Sequence, residues 1–233
     1  MTAPDMAILG ILGFLVVLAA IYAPQYWVGH TMRRHSAHRP DFPGTGGEMA
    51  KHLVERFELE GVRVEATEAG DHYDPEARVV RLSKANFDGA SLTAVAVAAH
   101  EVGHALQHHR GERGLKLRQS LAGFAMATDK IASIFFIAAP ILALVLRSPL
   151  AFLGLAVIGV GLLAVRILVH LVTLPVEYDA SFNKALPILR EGGYLADEDL
   201  AGARSVLKAA ALTYVAAALM SLLNLARWVR ILR

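Results

Sequence analysis

The residues best placed to do chemistry are His100, Glu101 and His104, in the stretch Ala98-Ala99-His100-Glu101-Val102-Gly103-His104-Ala105-Leu106. The run before them, Ser91 to Ala99, is small and apolar with no proline, so a helix is predicted to pass straight through the histidines. Side chains four apart on a helix stand one above the other. His100 and His104 can therefore turn both imidazoles toward one ion. Glu101, rotated by about 100° from His100, keeps its carboxylate beside that ion rather than on it. This is the H-E-x-x-H arrangement, in which two histidines hold Zn²⁺ and the glutamate is the general base. The chain has no cysteine, so a zinc ion, one per chain, must be held by imidazole and carboxylate alone.

A catalytic zinc takes three protein ligands and leaves one position open. His108 shares the face of His104, but it lies roughly 12 Å from His100 along the helix axis, too far for one ion. The pattern with glycine three and histidine six residues after the second motif histidine is excluded, because Gln107 and Arg110 stand there. Glu177, in Leu174-Pro175-Val176-Glu177-Tyr178-Asp179-Ala180-Ser181, is the better candidate. Its carboxylate stands at the mouth of an apolar run, where a charge needs a partner. A donor for the developing oxyanion is to be sought among His72, Tyr178 and His170, and the sequence leaves these three open.

The elements that must position these residues divide the chain sharply. Apolar side chains make up 55% of it, mean hydropathy is +0.44, and charged residues are 19% with a net charge of +2. That balance offers nothing to nucleic acid and points to a bilayer. Four apolar runs, 6–23, 131–146, 150–174 and 206–226, are long enough to read as about four transmembrane helices. Between the first two lies a small α+β, zincin-like unit. Its parts are an amphipathic helix over 48–60, strand-like stretches at 62–66 and 77–82, the turn Asp71-His72-Tyr73-Asp74-Pro75, and the motif helix closed by Arg110-Gly111. The strand at 78–82 is expected to offer an open edge to an extended peptide. Two spans would separate His104 from Glu177, so both would face the same side of the membrane.

The expected fold is thus a mainly α membrane protein carrying an HExxH helix in a small catalytic unit. Its segments are an N-terminal anchor (1–28), the zincin-like unit (29–128), a transmembrane hairpin (129–174), a helix bearing the third ligand (175–205), and a fourth apolar helix with a basic tail (206–233). The first run lacks a basic n-region, which favours an anchor over a cleaved signal peptide. Arg33, Arg34 and Arg39 after it place the following unit, and with it the active site, on the cytoplasmic side of the cell (inner) membrane. The arginines at 227, 230 and 233 read as a membrane-surface anchor.

The stretch Ala94 to His108, with Asp71-His72-Tyr73-Asp74-Pro75 before it and Leu174 to Ser181 after it, closely resembles the YugP-type membrane zinc metallopeptidases, and more distantly the HtpX-type gluzincins. The resemblance covers nearly the whole chain. It implies an integral-membrane zinc endopeptidase in which His100, His104 and Glu177 bind zinc and Glu101 is the catalytic base. It also implies protein or peptide substrates, membrane-associated or misfolded, and membrane partner or adaptor proteins. Gluzincins commonly place an aspartate four residues after the ligand glutamate, where it orients a zinc histidine. Here that position is Ser181, and the aspartate falls at Asp179. The rival reading is a non-proteolytic, zinc-holding membrane scaffold or assembly factor.

Overall fold

In the computed structural model, which describes residues 3–231, the chain is mostly helical with one small mixed sheet. The elements are α1 (Ala3–Arg34), α2 (Gly46–Arg56), β1 (Arg63–Thr67), β2 (His72–Asp74), β3 (Val79–Ser83), α3 (Lys84–Phe87), α4 (Leu92–His109), α5 (Arg113–Leu146), α6 (Pro149–Tyr178), a π-helical segment (Asp179–Ala185), α7 (Leu186–Glu191) and α8 (Asp197–Ile231). They form two compact units. One takes Met1–Tyr26, Gln119–Val172 and Tyr214–Arg233, and the other Trp27–Arg118 and Thr173–Thr213.

The second unit holds the motif helix, and local chemistry sets its elements. Thr45 and Glu48 close a reciprocal cap on α2: the Glu48 N–H donates to Thr45 Oγ1 at 3.2 Å and the Thr45 N–H to Glu48 Oε2 at 2.7 Å. Ser91 caps α4 by accepting from the Ala94 N–H at 3.1 Å. From Leu92 to Gln107 every residue of α4 is buried. The alanines at 94, 96, 98 and 99 explain how, because small side chains let neighbours close in on all sides. Gly46, at the start of α2, serves the same end. A Cβ there would lie 2.8 Å from the Ala94 carbonyl oxygen.

The sheet runs β1-β3-β2, with β1 parallel and β2 antiparallel to β3. Val80 of β3 faces Val64 on one side and Tyr73 on the other. The strand expected to offer an open edge is therefore the central one, paired along both sides. Leu53, Val80, Leu82, Val102, Leu106, Leu189 and Leu207 share one core, which joins α2, the sheet, α4, α7 and α8.

The expectation of about four transmembrane helices is not met. Among the described residues one helical stretch, Arg113–Ala139, is long and apolar enough to cross a membrane, and Leu153–Leu162 is a shorter apolar stretch. The fourth apolar run shows why hydropathy overcounted. It opens with Val206 and Leu207, both fully buried in the core of the site-bearing unit, and Ala209, Ala210 and Ala211 are buried with them. Burial in protein and burial in lipid select the same side chains. Many side chains of the first run, and those of Arg227 and Arg230, lie outside the described residues, as does Arg233 altogether. In the other unit the helices expose large apolar side chains, among them Ile137 at 73% and Leu150 at 77%.

Candidate metal centre

Helix α4 turns His100 and His104 the same way, as their spacing requires. Their rings meet edge to face with centroids 4.7 Å apart. Glu177 comes from the last turn of α6, which continues through Pro175 to Tyr178 before widening into the π-helical segment. Its Oε2 lies 3.3 Å from His100 Nε2 and 3.2 Å from His104 Nε2. All three residues are buried, with 4%, 2% and 2% of their surface exposed.

Gly103 makes this meeting possible. A Cβ on it would stand 2.8 Å from the carbonyl oxygen of Ala180, so only glycine lets α4 press against the π-helical segment this closely. The segment's wide winding is visible where the Leu186 N–H bonds the Ser181 carbonyl, five residues back. Such widenings occur frequently at functional sites.

Each first-line group is held from behind. Ser181 Oγ lies 3.0 Å from His100 Nδ1 and 3.0 Å from the Leu207 carbonyl. Gln107 Oε1 lies 2.8 Å from His104 Nδ1, and its Nε2 donates to the Val176 carbonyl at 2.9 Å and to Asp179 Oδ2 at 2.8 Å. Arg118 brings its guanidinium within 3.1 Å of Glu177 Oε1. Lys184, almost fully buried, pairs with both Asp179 and Glu112.

Electrostatics follow from these contacts. Burial would raise the Glu177 carboxyl, but the charge and hydrogen bonds of His104 and His100, with Arg118, hold it well below the usual carboxylate range. Burial would lower the His100 imidazole, yet the Glu177 hydrogen bond and the Glu101 and Glu177 charges raise it. The Glu101 carboxylate thus acts on the same ring from a buried position. One candidate ligand atom from each of His100, His104 and Glu177 lies within 4.8 Å of the other two, and this group could hold a metal ion. Two imidazole nitrogens and one carboxylate oxygen are a donor set that catalytic zinc takes.

The remaining expected residues lie elsewhere. His72, in β2, bonds the Gly70 carbonyl at 2.8 Å through Nδ1. The turn around it is an internal brace: Asp71 accepts from the Ser83 N–H and from Asn86, Asp74 accepts from the Glu76 and Ala77 N–H groups and from Arg81, and Tyr73 meets His108 Nδ1 at 2.8 Å. Tyr178 is exposed, with its ring 4.5 Å from that of Phe182. His170 belongs to the other unit, where its ring lies 5.7 Å from that of Tyr214. Asp179 stands behind Gln107, and it is Ser181 that touches a motif histidine. Sequence reading missed Gln107, Ser181 and Arg118 as parts of the centre. Gln107 was signalled by its spacing of three from His104 and Ser181 by its spacing of four from Glu177. Arg118 had no local signal.

Comparison with known proteins agrees with this chemistry. A family described as "putative neutral zinc metallopeptidase" matches residues 10–233. The chain is 36% identical over 219 residues to the "putative membrane protease YugP" of Bacillus subtilis (strain 168), covering 93% of each chain. No solved structure matches it significantly. Family membership implies zinc and protein or peptide substrates, and His100, His104 and Glu177 supply a place where a metal could be held. By both matches the chain belongs to the zinc metallopeptidase family so described.

Proposed function

We propose that the protein is a zinc-dependent endopeptidase of the HExxH, gluzincin-like type, with His100, His104 and Glu177 as ligands of one zinc ion and Glu101 as general base. The observation that carries this reading is the convergence of His100 Nε2, His104 Nε2 and Glu177 Oε2 in a buried place, from segments 73 residues apart in the chain. Zinc bound there supplies Lewis-acid activation of water and of the scissile carbonyl. Glu101 takes the proton of the attacking water on its carboxylate and delivers it to the leaving amine nitrogen. Arg118 holds Glu177 by its outer oxygen, leaving Oε2 directed at the histidines.

The protein works at a membrane, on membrane-associated or misfolded proteins. The name of its relative, the candidate span Arg113–Ala139 and the exposed apolar side chains of the unit that takes Gln119–Val172 support this. Arg110, Arg113, Lys116 and Arg118 cluster where that span begins, so the positive-inside rule favours a cytoplasmic position for the site.

The deciding experiment is Glu101→Gln. The variant should bind zinc as tightly as the parent and cleave peptides about 10²–10⁴-fold more slowly. Undiminished cleavage would overturn the mechanism. Glu177→Ala should weaken zinc binding, and unchanged affinity would remove Glu177 from the ligand set.

A further inference from the structure

We infer that Gln107 and Ser181 are positioning residues that fix the proton of both motif imidazoles on Nδ1, and that a relay from Glu112 through the buried Lys184 to Asp179 locks Gln107 in that role. The inference rests on the zinc reading for its purpose, but the proton positions follow from the hydrogen bonds themselves.

Ser181 has one hydroxyl hydrogen and two partners. Leu207 offers a carbonyl at 3.0 Å, which can only accept, so the hydrogen goes there. His100 Nδ1, at 3.0 Å from the same oxygen, must then be the donor. Gln107 gives the same answer for the second ring. Its amide nitrogen has two hydrogens and faces two acceptors, the Val176 carbonyl at 2.9 Å and Asp179 Oδ2 at 2.8 Å. Flipping the amide would set its oxygen against both of them. Oε1 therefore faces His104 Nδ1 at 2.8 Å and accepts a hydrogen bond from its N–H. Arg118 Nη1, at 3.5 Å from that nitrogen, is too far to compete.

With Nδ1 holding its hydrogen in both rings, each Nε2 faces Glu177 Oε2, at 3.3 Å for His100 and 3.2 Å for His104, and giving up the Nε2 hydrogens leaves two lone pairs and a carboxylate directed at one place. A cation resolves that arrangement. The tautomer is thus selected before any ion arrives, and a ligand that need not shift its proton is preorganised for binding. The relay behind Gln107 is built for stiffness. Asp179 accepts from Asn183 at 2.9 Å as well as from Gln107, and it pairs with Lys184, which is only 6% exposed and reaches Glu112 at 3.1 Å. Gln107 and Lys184, the buried members, are thereby held from both ends, and a satisfied network of this kind holds one geometry.

The test is nitrogen-15 spectroscopy of the imidazoles in the full-length protein, with and without zinc, beside zinc competition against a chelator. The parent protein should show His100 and His104 protonated at Nδ1 in both states, with zinc on Nε2. Gln107→Met keeps the side-chain volume without the acceptor. It should weaken zinc binding by about 10–100-fold and expose the His104 Nδ1 proton to fast exchange while leaving that of His100 protected. Ser181→Ala should do the converse, and carries the test if Gln107→Met does not fold. Lys184→Met should move the His104 signal in the same direction by less. Either histidine lacking its Nδ1 proton in the parent protein, or Gln107→Met with unchanged affinity and an unchanged His104 signal, would overturn the inference. His104→Ala separates the two readings. Unweakened zinc binding in that variant removes the zinc assignment, and the Nδ1 protons of the metal-free protein still decide the inference.

Discussion

Single residues here divide by what they face. The shared direction of His100 and His104 was legible because a helix converts spacing into direction, and the meeting with Glu177 because a carboxylate beside an apolar run needs a partner. Gln107 and Ser181 left only a spacing, and Arg118 not even that, because an amide, a hydroxyl or a guanidinium acquires meaning only from the atom opposite it. The Asp71-to-Pro75 turn shows the reverse case: a motif of titratable residues that braces its own hairpin. There Asp74 is held below the usual carboxylate range, chiefly by the Ala77 N–H and then by Arg81, with burial opposing. A carboxyl lowered in the folded state adds stability that is complete above its unfolded value, near pH 4, and is lost as pH falls through the folded one. Asp74→Asn should therefore be less stable than the parent at pH 7, and the gap should narrow on acidification below pH 4. Urea unfolding of the two proteins across that range measures it, and a constant gap would count against the ion pair.

The elements carry the precision of the site. The sequence pattern led correctly to the motif helix, to strands near β1 and β3, and to a helix close to α2, since each has a clear period. It did not reveal β2, too short to show alternation, or the π-helical segment, whose winding leaves no signature. Nor did it show that β3 is the central strand, because register is decided by partners distant in sequence. The contact of Gly103 with Ala180 joins the two elements that matter. Gly103→Ala, a good helix former on a buried face, should stabilise an isolated helix yet destabilise this protein by about 1–3 kcal/mol. It should also weaken zinc binding, because α4 must withdraw from the segment that follows Glu177. Thermal melting and chelator competition report the two effects. A more stable variant with full affinity would show that the close approach is not needed.

For the whole molecule, hydropathy overcounted the spans. Its windows register apolar length and are blind to destination, so the opening of α8, buried in the protein core, read like lipid-facing helix. Two measurements belong at this scale. Washing membranes at alkaline pH should leave the protein in the pellet until detergent is added, and release without detergent would contradict the proposed placement. Zinc, binding the folded state alone, should raise the melting temperature, with about 4 kcal/mol of stabilisation at a thousandfold excess over the dissociation constant. His104→Ala should abolish that rise.

The distance in sequence between His104 and Glu177 also has a consequence for biosynthesis. A ribosome that has finished α4 has made His100, Glu101 and His104, but α5 and most of α6 must still be synthesised before Glu177 exists. The hydroxyl behind His100 then waits for Leu207 of α8 to receive its hydrogen. On the proposed reading the peptidase is born latent, and it cannot cut its own unfinished chain or its neighbours in the exit path. A single break anywhere between the two halves of the site, even one that touches no ligand, would give back the same latency to the mature protein once the halves part.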